Sequence, residues 1–169
     1  SNGKLYGMTC QGGANYDGVM FEYDPATDTY TKKFDFLNTS KGCYPFGSLM
    51  QASNGKLYGM TYSGGSSGFG VMFEYDLTTN TYTKKHDFTG NSDGKNPYGS
   101  LMEASNGKLY GLTYKGGSSD YGIIFEFDPA TSAYTIKHDL AVSGLVNGIY
   151  PYGEMIQASN GMLYGMTQR

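Results

Sequence analysis

Ser53-Asn54-Gly55-Lys56-Leu57-Tyr58-Gly59 decides the fold, because the same seven residues open the chain at Ser1 and return at Ser105. A fourth copy, Ser159-Asn160-Gly161-Met162-Leu163-Tyr164-Gly165, differs only at Met162, so the steps between copies are 52, 52 and 54 residues. Residues 1–52 set against 53–104 show 34 identities in 52 positions. A fixed period of this size belongs to repeat architectures, in which every unit has the same local structure and buries its apolar face against the next. The chain of 169 residues is thus one repeat domain, with units 1–52, 53–104 and 105–158 and a partial unit at 159–169.

Within a unit four extended segments stand between turn signals. Over 98–140, across the boundary of the second and third units, these are a, Tyr98 to Ala104; b, Leu109 to Tyr114; c, Gly122 to Asp128; and d, Tyr134 to Leu140. Asn106-Gly107 between a and b predicts a type I′ hairpin turn, which needs positive φ at both central residues. Gly116-Gly117 closes b, and Asp128-Pro129-Ala130-Thr131 after the β-branched and aromatic segment c reads as a turn with Pro at its pre-set φ. No stretch has a 3.6-residue apolar period with caps, so helices are expected to be nearly absent. Four short antiparallel strands in about 50 residues make a blade of a β-propeller, and the fold class is all-β. Segment d is expected at the outer edge, where Lys32, Lys33, Lys84, Lys85 and Lys137 guard against edge-to-edge pairing.

The charge balance narrows the function classes. With 12 Lys+Arg against 15 Asp+Glu the formal charge is −3, which excludes nucleic-acid binding through bulk positive charge. No apolar run approaches the roughly 18–20 residues that a membrane-spanning helix requires. The first residues hold neither a start Met nor a signal-peptide core, so a soluble chain processed or excised from a longer one is expected.

Tyr23-Asp24-Pro25-Ala26-Thr27-Asp28-Thr29-Tyr30 resembles the kelch motif, with Tyr where kelch units usually carry Trp. The pairs Gly12-Gly13, Gly64-Gly65 and Gly116-Gly117 stand after segment b, as the kelch diglycine does. More closely, Gly-Val-Met-Phe-Glu-Tyr-Asp at 18–24, taken with Gly-Ser-Leu-Met-Gln-Ala-Ser-Asn-Gly-Lys-Leu-Tyr-Gly-Met-Thr at 47–61, resembles the GloVer tandem repeats of secreted or surface-anchored bacterial proteins. This likeness covers essentially the whole chain. It implies a kelch-like propeller located outside the cytoplasm, extracellular or at the cell surface, and no particular activity.

The strand count is 3+4+4+2, about three blades, whereas closed propellers use about 4–8. One solution is a homodimer in which a second chain completes a six-bladed ring, the last segment a, Pro151 to Ala158, joining the partner's b, c and d. Leu5-Tyr6-Gly7-Met8-Thr9 and Leu163-Tyr164-Gly165-Met166-Thr167 then compete for one place. The other solution is a piece of a longer array.

Connections alternate between the two ends of an up-and-down blade. The a–b and c–d turns hardly change between units, while the b–c and d–a loops vary, the last d–a loop (141–150) being two residues longer. Loops on a rigid scaffold are where binding residues concentrate. The candidate ligand-binding residues are therefore Tyr16, Asp17, Tyr44, Phe69, Asp93, Tyr98, Asp120, Tyr121 and Tyr150, with Phe46 and Tyr152 on the same face. Tyr beside short polar groups suits a sugar or a peptide; the same aromatics could instead staple neighbouring blades together.

Catalytic signals are sparse. His86 and His138 occupy the place of Phe34 and read as edge-strand residues. Glu22, Glu74 and Glu126 recur in segment c and are expected to bond the neighbouring blade's backbone or to face solvent. Asp24, Asp76 and Asp128 read as turn formers rather than as acid/base or metal groups. No nucleophile-elbow, zinc-protease, phosphate-loop or paired-cysteine pattern exists, so no catalytic residue, cofactor or metal is expected. Cys10 and Cys43 are expected as free thiols. The leading expectation is a non-enzymatic binding or scaffold module meeting a protein or glycan; the rivals are an extracellular hydrolase or lyase with acidic residues near the channel, and a structural spacer.

Overall fold

The computed structural model of the protein describes residues 2–141 and 148–169. Among these residues there are thirteen strands and no helix. Counted from segment a, so that each structural unit starts just before the sequence repeat does, the first unit contributes β1 (Leu5–Thr9), β2 (Val19–Asp24) and β3 (Thr29–Asp35); the second, β4 (Met50–Gln51), β5 (Leu57–Met60), β6 (Val71–Asp76) and β7 (Thr81–Asp87). The third gives β8 (Met102–Glu103), β9 (Leu109–Thr113), β10 (Ile123–Asp128) and β11 (Ala133–Asp139), and β12 (Ile156–Gln157) and β13 (Leu163–Tyr164) follow. The sheets run β1-β2-β3, β4-β5-β6-β7, β8-β9-β10-β11 and β12-β13, each strand antiparallel to its neighbour.

Equal sequence gives equal register. Leu5 faces Tyr23, Leu57 faces Tyr75 and Leu109 faces Phe127, and each c–d ladder carries a bulge at one place, after Met20, Met72 and Ile124. The c–d turns form as expected: Asp24, Asp76 and Asp128 accept the backbone N–H of Ala26, Thr78 and Ala130 at 2.9, 2.8 and 2.9 Å.

Three expectations need correction. The a–b turn is not type I′. Gly55 N–H donates to Ala52 at 2.9 Å, only Gly55 of the connection has positive φ (81°), and Ala52 N–H donates to Lys56. That is a three-residue connection ending in a left-handed glycine. Asn54 is not among the positive-φ residues, and its Oδ1 accepts the Lys56 N–H at 3.0 Å. Segment a is also shorter than expected, pairing only through Met102 and Glu103. Residues before it leave the ladder because successive units converge there: a Cβ on Gly99 would lie 1.5 Å from the Gly153 carbonyl oxygen. Lastly, Glu22, Glu74 and Glu126 neither bond a neighbour's backbone nor face water. They are buried and held by side chains of their own unit.

The core lies between successive sheets. Met20 and Phe36 of the first unit pack with Leu57, Phe73 and Tyr75 of the second; Met72 and Phe88 of the second pack with Leu109, Phe125 and Phe127 of the third. Backbone bonds sew the same joints, Cys43 exchanging bonds with Ser63 (2.8 and 3.2 Å) and Lys95 with Lys115 (2.9 and 3.1 Å). Both faces of the β4–β7 sheet are thus covered, which is why its segments b and c read as unbroken apolar runs.

Candidate functional site

The d–a loop of each unit lies beside the b–c loop of that unit and the end of the next unit's strand b. Tyr44, Asn96 and Tyr150, all with positive φ, donate their N–H to Asp17, Phe69 and Tyr121, and their carbonyls accept from Tyr62, Tyr114 and Gln168. The variable loops therefore share one face, and Tyr44 serves it through its backbone.

The three acidic candidates are turned onto loop backbone. Asp17 is 8% exposed and its Oδ2 accepts the Asn38 N–H at 2.9 Å. Asp93 Oδ1 accepts from Thr89 N (2.8 Å), Thr89 Oγ1 (2.8 Å) and Gly90 N (3.1 Å), and its Oδ2 stands 3.0 Å from His86 Nε2. Asp120 Oδ1 accepts from Gly116 N and Lys95 Nζ, both at 2.9 Å. Burial works to raise the Asp120 pKa, yet the Lys95 ammonium and the Gly116 N–H outweigh it and the net shift is downward. Each of these carboxylates caps at least one loop backbone N–H.

The aromatic candidates divide as well. Tyr16 is exposed, and Phe69 lies under Lys95 Nζ, 5.4 Å from the ring centre, while packing on the core. Tyr98, Tyr121 and Tyr150 join a continuous array. Phe46 stacks on Tyr98 at 4.6 Å and 4°, and Tyr98 meets Tyr152 at 4.4 Å and 30°. Tyr62 braces Phe46 and Tyr98 edge-on, both at 5.5 Å. Tyr114 stacks on Tyr150 at 5.2 Å, and Tyr121 meets Tyr150 edge-on at 5.4 Å. The hydrogen bond with Tyr152 is the largest cause holding the Tyr98 hydroxyl above its ordinary pKa.

Phe46, Tyr98 and Tyr152 form one wall of an open cavity of about 590 Å³ that also presents Ser48, Ser100 and Glu154. Phe46 is 44% and Tyr152 49% exposed, so rings at both ends of the column are open. Sequence reasoning passed over Tyr62, Tyr114 and the polar residues Ser48, Ser100 and Glu154. The period could have found them, since Phe46, Tyr98 and Tyr152 are one repeat position, and Cys10, Tyr62 and Tyr114 another.

The opposite loops carry a second, constant arrangement. In the second unit Asn54 Nδ2 donates to the Tyr58 hydroxyl at 3.0 Å, which donates to Glu74 Oε2 at 2.7 Å, while Lys56 Nζ lies 2.7 Å from Glu74 Oε1. The first and third units repeat it with Tyr6, Glu22 and Lys4 and with Tyr110, Glu126 and Lys108. His86 is held between Asp93 and a ring of the next unit, and burial pushes its pKa down against the pull of Asp93. Cys10 and Cys43 are free thiols; burial, aided by Asp17, pushes Cys43 up to about 11.

Fold and site together define a class: a repeat protein of propeller-like fold, in which small antiparallel sheets follow one another and the loops of one face gather the aromatic residues. The chain belongs to the Gloeobacter/Verrucomicrobia repeat family, whose model matches residues 1–169. No curated protein matches it. Its fold is similar to the extracellular domain assigned to a one-component system of B. thetaiotaomicron, with a TM-score of 0.63 and 13% identity over 89% of this chain and 18% of that one. It is similar to TolB of Acinetobacter baumannii (TM-score 0.56, 12% identity, 90% and 33% covered) and to a periplasmic gluconolactonase of Pseudomonas aeruginosa (TM-score 0.56, 10% identity, 95% and 46% covered). The chain spans 18% to 46% of the length of these proteins, and at such identities the likeness concerns fold. Among the described residues no helix is long and apolar enough to cross a membrane.

Proposed function

We propose that the protein is a non-enzymatic binding or scaffold module of an extracellular bacterial surface protein, which meets its partner through the aromatic face. The observation that carries this reading is the column Phe46, Tyr98 and Tyr152, each from the same place in a different unit, lining a cavity with Ser48, Ser100 and Glu154. Stacked rings beside hydroxyls and a carboxylate offer flat apolar contact with a few directional polar groups, the chemistry that takes a sugar ring or an aromatic peptide side chain. A glycan is the sharper version. The hydrolase or lyase alternative has weaker support, because Asp17, Asp93 and Asp120 already accept bonds from loop backbone N–H groups. Extracellular placement is part of the same proposal, supported by the likeness to an extracellular domain.

The three units count as propeller blades, and a second copy of the chain closes them into a six-bladed ring. Support comes from the three-stranded sheet β1–β3 and the two-stranded sheet β12–β13, each short of the four strands of the two inner sheets. A glycan array and a panel of aromatic peptides test the binding role. Binding that Tyr98→Ala and Tyr152→Ala weaken about tenfold or more supports it; no binding to either set, or binding indifferent to both substitutions, overturns it.

A further inference from the structure

We infer that the two end faces of this chain are the halves of one joint, so that Tyr30 of one copy lies on His138 of a second copy while Phe21 enters the cavity beside Leu140. This rests on the two-copy ring proposed above and names the contact that would close it.

The inner joints supply the template. At the first, Phe34 stacks on Tyr82 at 4.2 Å and 1°, and Phe36 meets Phe73 edge-on at 5.5 Å. At the second, His86 stacks on Tyr134 at 3.8 Å and 3°, and Phe88 meets Phe125 edge-on at 5.7 Å. In both, the Tyr hydroxyl reaches a carbonyl of the preceding unit at 2.7 Å, that of Lys41 and that of Asp93. One side of each joint is therefore a residue of strand d with an apolar partner two places on; the other is a Phe and a Tyr of the next unit.

The third unit offers the first side again. His138 and Leu140 stand where His86 and Phe88 stand, and Leu140 lines a cavity of about 360 Å³ with Ile124, Met155 and, from β13, Leu163, whose repeat position the partner's Leu5 takes once β13 yields. His138 is exposed. The first unit offers the other side, already set in its bound shape: Tyr30 lies on Phe21 at 5.3 Å, as Tyr82 lies on Phe73 at 5.1 Å and Tyr134 on Phe125 at 5.0 Å. Its surface is bare. Leu5 is 59% and Tyr30 56% exposed, whereas Leu57 is 3% and Leu109 fully buried. Apolar surface shaped for a neighbour and left in water is the mark of an interface. Repetition makes the two faces complementary to each other rather than each to itself, so the contact runs head to tail.

Only one strand b can occupy the closed joint, and charge decides which. β1 is preceded by Lys4, whose Nζ lies 2.7 Å from Glu22 Oε1; β13 is preceded by Met162 at that repeat position and brings no cation. Among the described residues β13 pairs only with β12, whereas β1 is held to β2 through five paired residues, Leu5 to Thr9. It is β13 that yields, and β12 then pairs with the partner's β1, Ile156 opposite Tyr6 and Gln157 opposite Leu5, in the register that Met50 and Gln51 hold with Tyr58 and Leu57.

The test is the mass in solution, by light scattering, of the wild-type chain, of Tyr30→Arg, of His138→Glu, and of the two variants mixed. Both positions are exposed in the single chain, and matched melting curves confirm that each variant folds. The wild type is expected at the mass of two chains; each variant alone is expected to weaken association about tenfold or more; the equimolar mixture restores dimers through one native contact and one charge-paired contact. A wild type that stays single at high micromolar concentration overturns both the ring and this contact. Dimers that survive in both variants overturn the contact and leave the ring standing, and a ladder of sizes broken by Tyr30→Arg supports the contact while overturning two-copy closure.

Discussion

The hydroxyl of Tyr58 donates to the carboxylate of Glu74 across the β5–β6 ladder at 2.7 Å, between residues that face each other in register. Burial, with Glu74 second, pushes the Tyr58 pKa up to about 12. Burial also works to raise Glu74, but Lys56, Tyr58 and Lys85 outweigh it and hold the carboxyl below its ordinary value. Replacing Glu74 by Leu leaves a buried hydroxyl and an ammonium without their acceptor and should cost about 1–3 kcal/mol in urea unfolding. A cost below a few tenths would show that water replaces the carboxylate.

The same carboxylates set an acid limit. Glu22, Glu74 and Glu126 are all lowered in the folded chain. The unfolded state therefore binds protons first as pH drops, so this contribution is complete above about pH 4.5 and is lost as pH falls through the lower folded values. Unfolding free energy followed from pH 6 to 3 should decline, and Glu74→Gln should flatten the curve. A curve unchanged by that substitution would contradict the assignment.

His86 responds in the same direction for the opposite reason. Its folded pKa is lowered by burial despite Asp93, so neutral imidazole is favoured and stability falls as pH drops below about 6.5. Asp93→Asn removes the groups that oppose the shift and should move the His86 titration, read by NMR, to still lower pH. A rise would show that Asp93 is not its partner.

Tyr134 separates packing from hydrogen bonding at the inner joint. It lies against His86, Phe88 and Phe125, and its hydroxyl donates to the Asp93 carbonyl at 2.7 Å. Tyr134→Phe should cost about 1 kcal/mol and Tyr134→Ala about 3–5 kcal/mol, measured by thermal or urea unfolding. Equal costs would mean that the ring contributes little.

Two glycines should fail for different reasons. Gly99→Ala drives a Cβ into the backbone of the next unit and should destabilise by about 1–3 kcal/mol through overpacking. Gly55→Ala meets nothing within 4 Å but keeps a φ of 81°, and should cost about 1–2 kcal/mol. Gly99→Ala alone should also disturb the neighbouring unit, visible as amide shifts at Gly153.

Strand positions were legible because period, turn residues and β-branched runs all point to the same boundaries, as at Val71–Asp76 between Gly70 and the Asp76 turn. The a–b turn misled because Asn-Gly serves two hairpin geometries, and only the φ of Asn54 tells them apart. The destination of Glu74 was hidden for another reason: its partners Lys56 and Tyr58 lie 18 and 16 residues away and meet it only once the register is known. Asp17, Asp93 and Asp120 read as ligand-binding candidates, since nothing in sequence shows which loop N–H groups need an acceptor. The aromatic column needed the period applied to loops as well as strands, which would have set Phe46, Tyr98 and Tyr152 in one row.

The central claim is that equivalent sheets follow one another around an axis and that two chains meet end to end. Electron-microscopy class averages of the purified chain test it most directly. A closed ring of six similar blades about a hole, with two-fold symmetry, is the expected image; single particles whose sheets pack face to face as a sandwich, or open arcs that never close at any concentration, would contradict it.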